Sequence, residues 1–122
     1  MKLKKKIVLI IGGTGFLGNN LRIKCLKKNF KVITLSSKSS KLSNKTTTSK
    51  HIIADISNKK ILNKKLNKIK DIHYVVNFGG YIDHQNKTTT FKTHFFGSKN
   101  LVNYFLKKKI ERFIQIGSSM EY

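Results

Sequence analysis

Apolar and polar residues fall along this chain in short blocks. Five β-favouring apolar residues at 7–11 (IVLII) run straight into GGTG at 12–15. A continuous apolar run of that length predicts a strand buried on both faces. Beyond it Leu17, Leu21 and either Cys25 or Leu26 recur at helical spacing, which predicts a helix over about residues 15–28 with Asn29 as its stop. A second strand is expected at 31–35. Residues 36–50 are Ser, Thr, Lys and Asn with almost no apolar position, and read as a long loop. A third short strand covers 51–54 and is closed by Asp55. Asn58 can cap a helix carrying Leu62, Leu66 and Ile69, and a fourth strand is expected at 74–78. A polar loop follows at 81–90. A long helix is then expected over about 91–108, burying Phe95, Leu101, Val102, Phe105 and Leu106, before a fifth strand at 112–116.

Strands alternating with helices predict an α/β fold with a parallel sheet and right-handed crossovers. The expected strand order is 3-2-1-4-5, which opens a ligand crevice at the carboxyl ends of the first and fourth strands. A length of 122 residues suits one domain.

The glycines after the first strand have separable tasks. Gly12 lets the chain turn as it leaves the strand. Gly15 keeps a Cβ away from an approaching pyrophosphate, and Gly18 lets the helix lie close on the strand. The backbone N–H groups at the helix start, around Phe16 and Leu17, then face the phosphates along the helix dipole. The competing reading is a plain glycine-rich turn. Strand context before and helix context after favour nucleotide binding. At the end of the second strand, where a carboxylate would hold the ribose 2′-hydroxyl of NAD, stand Ser36, Ser37 and Lys38. A missing acid and a nearby lysine lean toward the 2′-phosphate of NADP.

Charge alters this picture less than its size suggests. The formal net charge is +21, from 26 basic and five acidic residues. All the basic residues except Arg22 and Arg112 are lysines, and they are spread over the whole length. Base reading and bidentate phosphate contacts favour arginine, so a solvated lysine surface is preferred over a nucleic-acid face. The apolar run at 7–11 is too short for a signal peptide or a membrane span. The lone Cys25 makes no internal disulfide and reads as a small core residue, consistent with a reducing, cytoplasmic setting.

The wording GGTGFLG at 12–18, with Gly12-x-x-Gly15-x-x-Gly18, resembles the extended short-chain dehydrogenase/reductase family, which contains the NAD(P)-dependent nucleotide-sugar epimerases and dehydratases. The stretch HFFGSKNL at 94–101 is similar to that family's Asn-Val-x-Gly-Thr-x-Asn-Leu segment, with His94 in place of the usual Asn. The ending GSSMEY resembles its Ser-Ser-x-x-x-Tyr segment. The resemblance implies a Rossmann-type doubly wound sheet, here truncated, with 1–122 forming the N-terminal part of the NAD(P)-binding domain. It implies NAD(P) as cofactor, a nucleotide-sugar substrate, hydride exchange between a sugar carbon and the nicotinamide, and a possible homodimer of the full-length protein. It gives Asp55 the adenine amino group, the competing reading being a cap of the helix that begins just after, and it gives the Ile56 backbone the adenine ring. Gly79 and Gly80 would let the backbone lie against ribose and pyrophosphate, while Phe78 suits either the core or the adenosine. Ser118 would be the catalytic hydroxyl, with Ser119 beside it. Asp83 and His84 suit a surface loop better than a substrate contact. A Tyr-x-x-x-Lys occurs at Tyr104 and Lys108, but it precedes Ser118 and is rejected as the family's proton-transfer pair. Tyr122 matches the structural Tyr that closes the Ser segment. The true pair would lie beyond residue 122, so this piece alone is expected to bind cofactor without turnover. Two alternatives remain: a non-catalytic NAD(P)-binding module or sensor, and, less favoured, a basic nucleic-acid binder.

Overall fold

A computed structural model describes residues 4–12, 16–37, 48–78 and 92–116, with side chains from 95 onward in the last segment. The chain runs β1 (Ile7–Ile11), α1 (Phe16–Lys27), β2 (Lys31–Ser36), β3 (Ser49–Ile53), α2 (Lys59–Leu66), β4 (Ile72–Asn77), a π-helical turn (Lys92–Gly97), α3 (Ser98–Leu106) and β5 (Arg112–Gln115). The sheet order is β3-β2-β1-β4-β5, all pairs parallel, as expected from the alternation of strands and helices.

β1 is buried at every position because it lies in the middle of the sheet with helices on both sides. Leu9 and Ile11 face one layer, with Leu35, Leu62, Leu66, Val75, Leu101 and Phe105 beneath α2 and α3. Val8 and Ile10 face the other, with Val32, Val76 and Cys25 of α1. Burial pushes the Cys25 thiol pKa up, as befits a core residue and not a nucleophile. Between β1 and β4 the register slips by one residue at His73, whose Nδ1 accepts the Ile7 N–H at 3.0 Å.

The helix ends follow their side chains. Asn29 takes the left-handed conformation (φ 71°). The Phe30 N–H reaches the Cys25 carbonyl at 3.0 Å and the Asn29 N–H reaches Leu26 at 3.1 Å, the paired bonds of a Schellman C-cap. Asn58 caps α2 as expected, its Oδ1 accepting from the Ile61 N–H at 3.2 Å.

Three expectations are corrected. Leu17 is 60% exposed; the buried residues of α1 are Gly18, Arg22 and Cys25, with Leu21 and Leu26 packed partly buried on the same cluster. In the last helical stretch Phe95, Val102 and Leu106 are exposed, because only the line Gly97–Leu101–Phe105, with Tyr104 at its edge, faces the sheet. β3 begins at Ser49, inside the stretch read as loop, since Val32 and Ile33 pair with Ser49 and Lys50.

Candidate functional site

The carboxyl ends of the strands are stitched into one rim. The Gly12 N–H donates to the Leu35 carbonyl at 2.8 Å, and the Phe78 N–H to Ile11 at 2.8 Å. The Ala54 N–H donates to Ser36 at 2.9 Å and the Ile116 N–H to Asn77 at 3.0 Å. The crossover direction reverses between β1 and β4, so this rim holds the crevice where α/β sheets bind ligands.

Gly12 adopts φ 82°, a conformation that side chains disfavour, and turns the chain out of β1. α1 then starts in the open: Phe16 is 83% exposed and Leu17 60%, and no acidic residue sits in its first turn. The first four N–H groups of a helix have no partner within it and suit an anion. Gly18 is buried.

The loop after β3 is braced from α3. Ile56 is buried, and its carbonyl accepts from Asn100 Nδ2 at 2.9 Å. Its side chain fills the space beside Gly97, where an added Cβ would lie 2.5 Å from Ile56 Cδ1. Asp55, one residue earlier, is exposed. Its Oδ1 accepts from the Ser57 N–H (2.9 Å) and hydroxyl (2.7 Å), while Oδ2 takes no partner among the described residues. The cap of α2 is Asn58, so Asp55 is not needed there. An open hollow of about 460 Å³ adjoins Asp55, bordered by Ser57, Asn58, Lys59, Lys60 and Phe96.

Ser36 ends β2 half-buried, its Oγ 3.2 Å from His51 Nε2 on β3. The His51 Nδ1 lies 2.7 Å from Thr34 Oγ1. Hydropathy patterning gave His51 no role beyond filling a strand; only the register that sets Thr34 opposite His51 exposes the pair. Of the two readings of Phe78, the ring packs on the α1-side cluster with Val8 and Ile10. Asn77 is fully buried, with its Nδ2 donating to Gln115 Oε1 at 2.8 Å. Gly15, Lys38, Gly79, Gly80 and Ser118, together with Asp83, His84, Ser119 and Tyr122, lie outside the described residues.

Tyr104 and Lys108 do meet, with Nζ 5.2 Å from the ring centroid. The phenol donates to Asn67 Oδ1 at 2.9 Å, and burial raises its pKa, opposite to what a catalytic base requires. They border a second hollow of about 390 Å³ with Asn67 and Ile72 at the amino end of β4, away from the rim. Among the described residues no cluster could ligate a metal, and no helix is long and apolar enough to cross a membrane.

A family model described as the NAD dependent epimerase/dehydratase family matches residues 8–122. No curated protein matches the sequence. Solved structures share the fold. Epimerase Mth375 of Methanothermobacter thermautotrophicus superposes with a TM-score of 0.81 at 23% identity, over 94% of this chain and 36% of that one. The Bordetella bronchiseptica enzyme WbmG, in complex with NAD, gives 0.81 at 21%, over 92% and 37%. The UDP-glucose 4-epimerase of Thermotoga maritima, with UDP-glucose, gives 0.77 at 20%, over 89% and 37%. The chain thus spans little more than a third of the length of these neighbours.

Proposed function

Because the chain belongs to the NAD dependent epimerase/dehydratase family, we propose that it is the N-terminal, dinucleotide-binding part of an enzyme that exchanges hydride between a nucleotide-sugar carbon and nicotinamide. The observation that carries this reading is the rim itself. A helix start with exposed Phe16 and Leu17 and no acid lies beyond a positive-φ glycine, and across the sheet a carboxylate stands on a loop braced from α3. These groups fit a dinucleotide. The α1 N–H groups near Phe16 and Leu17 would hold the pyrophosphate, with Gly12, Gly15 and Gly18 allowing the approach. Asp55 would accept from the adenine amino group through its open Oδ2, with the Ile56 backbone against the ring. Ser36 and Lys38 would meet the ribose, and the absence of an acid there favours NADP. The backbone near Phe78, Gly79 and Gly80 would line the far side.

When bound, the cofactor supplies the hydride acceptor and donor. Ser118 would donate a hydrogen bond to the reacting sugar oxygen. Tyr104 and Lys108 lie away from the rim and would take no part in proton transfer, so this piece would bind without turnover. The full-length protein would act in the cytoplasm, with homodimer formation and the nucleotide-sugar substrate following the family.

Calorimetry of NADPH and NADH binding to this chain tests the reading. Binding is expected, with NADPH preferred, and Gly15→Asp should abolish it by placing a negative charge against the phosphates. Asp55→Ala should weaken both cofactors about tenfold or more, the size of a charge-assisted hydrogen bond. A folded chain that binds neither cofactor overturns the proposal. Turnover by this chain alone overturns its inactivity.

A further inference from the structure

The hollow beside Asp55 is polar on every side but one. Ser57, Asn58, Lys59 and Lys60 border it from the loop and the start of α2, and Phe96 borders it from the π-helical turn. Among these residues Phe96 is the one apolar wall, and its side chain is 41% exposed. An exposed aromatic ring beside a carboxylate is the pair of surfaces that a flat base with an amino group would cover: the ring takes its apolar body, the carboxylate its N–H donors.

Contacts on either side keep Phe96 at this place. Gly97, the next residue, meets the Ile56 side chain so closely that an added Cβ would lie 2.5 Å from Cδ1. One turn on, Asn100 Nδ2 donates to the Ile56 carbonyl at 2.9 Å. Both ties fasten the segment that carries Phe96 to the loop that carries Asp55. The Phe96 ring also stands edge-on to Phe95, with centroids 5.1 Å apart and planes at 86°, which limits how it can turn. Its backbone lies in a π-helical turn, Lys92–Gly97, a form that is rare and frequent at functional sites. Phe96 belongs to neither core cluster, so packing of the sheet does not account for an aromatic at this position.

We infer that Phe96 is the surface on which the adenine of the dinucleotide packs, beside the carboxylate that accepts from its amino group. This rests on the placement of adenine at Asp55 proposed above, and adds the contact that covers the body of the base. The two side chains act on the base in different ways. An ionised Asp55 only accepts, so it favours an amino group and disfavours a carbonyl oxygen at that edge. Phe96 reads no edge. It supplies apolar area and a π-face, which every base can use. Loss of Phe96 therefore lowers affinity without changing which base is preferred.

The test is nuclear magnetic resonance of the chain saturated with NADPH, or with NADH if that binds tighter, together with calorimetry of variants. The Phe96 ring protons should show Overhauser contacts to adenine H2 or H8. Phe96→Ala should weaken binding about five- to thirtyfold, the lower part of the range for a base stacked on an aromatic side chain. The factor should be the same for the hypoxanthine analogue of the cofactor, which lacks the amino group. Phe96→Tyr, which keeps the ring, should bind as the wild type does. Leu106→Ala, at a residue of α3 that is 73% exposed and does not border the hollow, should leave affinity unchanged. If Phe96→Ala does not fold, the Overhauser contact in the wild-type chain carries the test. Bound cofactor without that contact, or an affinity that survives Phe96→Ala in a folded chain, overturns the inference while the cofactor site stands. A folded wild-type chain that binds neither NADPH nor NADH overturns the site and the inference together.

Discussion

Gly97 is where the fold and the candidate site meet, and replacing it with alanine probes both. A Cβ there would lie 2.5 Å from Ile56 Cδ1 and 2.6 Å from Cγ1. Carbon atoms pack at about 3.5–4.0 Å, so the overlap is about 1 Å. Ile56 has little room to give. It is 6% exposed in the cluster with Leu101, and its carbonyl is held by Asn100 at 2.9 Å. Rotating Cδ1 alone does not help, because Cγ1 is equally close. The side chain must leave its rotamer or the loop must shift, an overpacking cost of about 1–3 kcal/mol. The backbone at Gly97 is ordinary right-handed helix (φ −62°, ψ −50°), so alanine would recover about 1 kcal/mol of helix propensity. The net expectation is a loss of up to about 2 kcal/mol by urea denaturation. The decisive measurement is a double-mutant cycle. Ile56→Ala alone should cost about 2–5 kcal/mol. In that background Gly97→Ala should become neutral or stabilising, a coupling of about 2 kcal/mol. Equal effects of Gly97→Ala in both backgrounds would show that the contact does not govern this position. Cofactor affinity should fall in Gly97→Ala and not recover in the double variant, since Ile56 carries the loop that holds Asp55.

Asn58→Ala should destabilise the chain by about 1 kcal/mol through loss of the α2 cap, with Asn58→Asp nearly silent in the same denaturation assay. Arg22→Met should leave stability unchanged or raise it: the described residues give this buried cation only the neutral partners Ser49 and Asn19, and an apolar replacement of similar volume removes a desolvation cost. A large loss would show that the contacts of Arg22 with Ser49 and Asn19 are themselves stabilising. With a net charge of +21, added salt should raise the melting temperature, because screening of lysine repulsion outweighs weakening of the exposed Lys4–Asp71 and Lys6–Glu111 pairs. Lys4 holds the Asp71 carboxyl below its ordinary range, and Tyr74 and Lys6 do the same for Glu111. Both contributions are present above the ordinary carboxylate range and are lost as pH falls through the lowered values, so Asp71→Asn and Glu111→Gln should each make acid unfolding less steep.

The layout was legible because central parallel strands carry their signal in consecutive residues. The runs at 7–11 and 32–35 needed no partner to be recognised, and Asn29, Asn58 and Gly12 mark turns through their own side chains or the lack of one. Where hydropathy failed, geometry set by another element decided. Val102 and Leu106 look as buried as Leu101 and Phe105, yet a helix has one line of closest approach to a sheet. That line starts here at Gly97, packed on Ile56, and a glycine adds nothing to a hydrophobic pattern. Ser49 and Lys50 carry no strand signal and are ordered by pairing with Val32 and Ile33. Thr34 and Ser36, polar residues alternating with Ile33 and Leu35, look like the solvated side of a strand. In the folded chain Thr34 is 1% exposed. Burying a hydroxyl is costly unless it is hydrogen-bonded. The partner that meets the need is His51, seventeen residues away in the chain but opposite Thr34 in the parallel register. A polar position that alternates inside an apolar strand thus has two meanings, water or a partner, and only the register of the neighbouring strand separates them. The same register brings the histidine to Ser36, whose Oγ lies 3.2 Å from its Nε2.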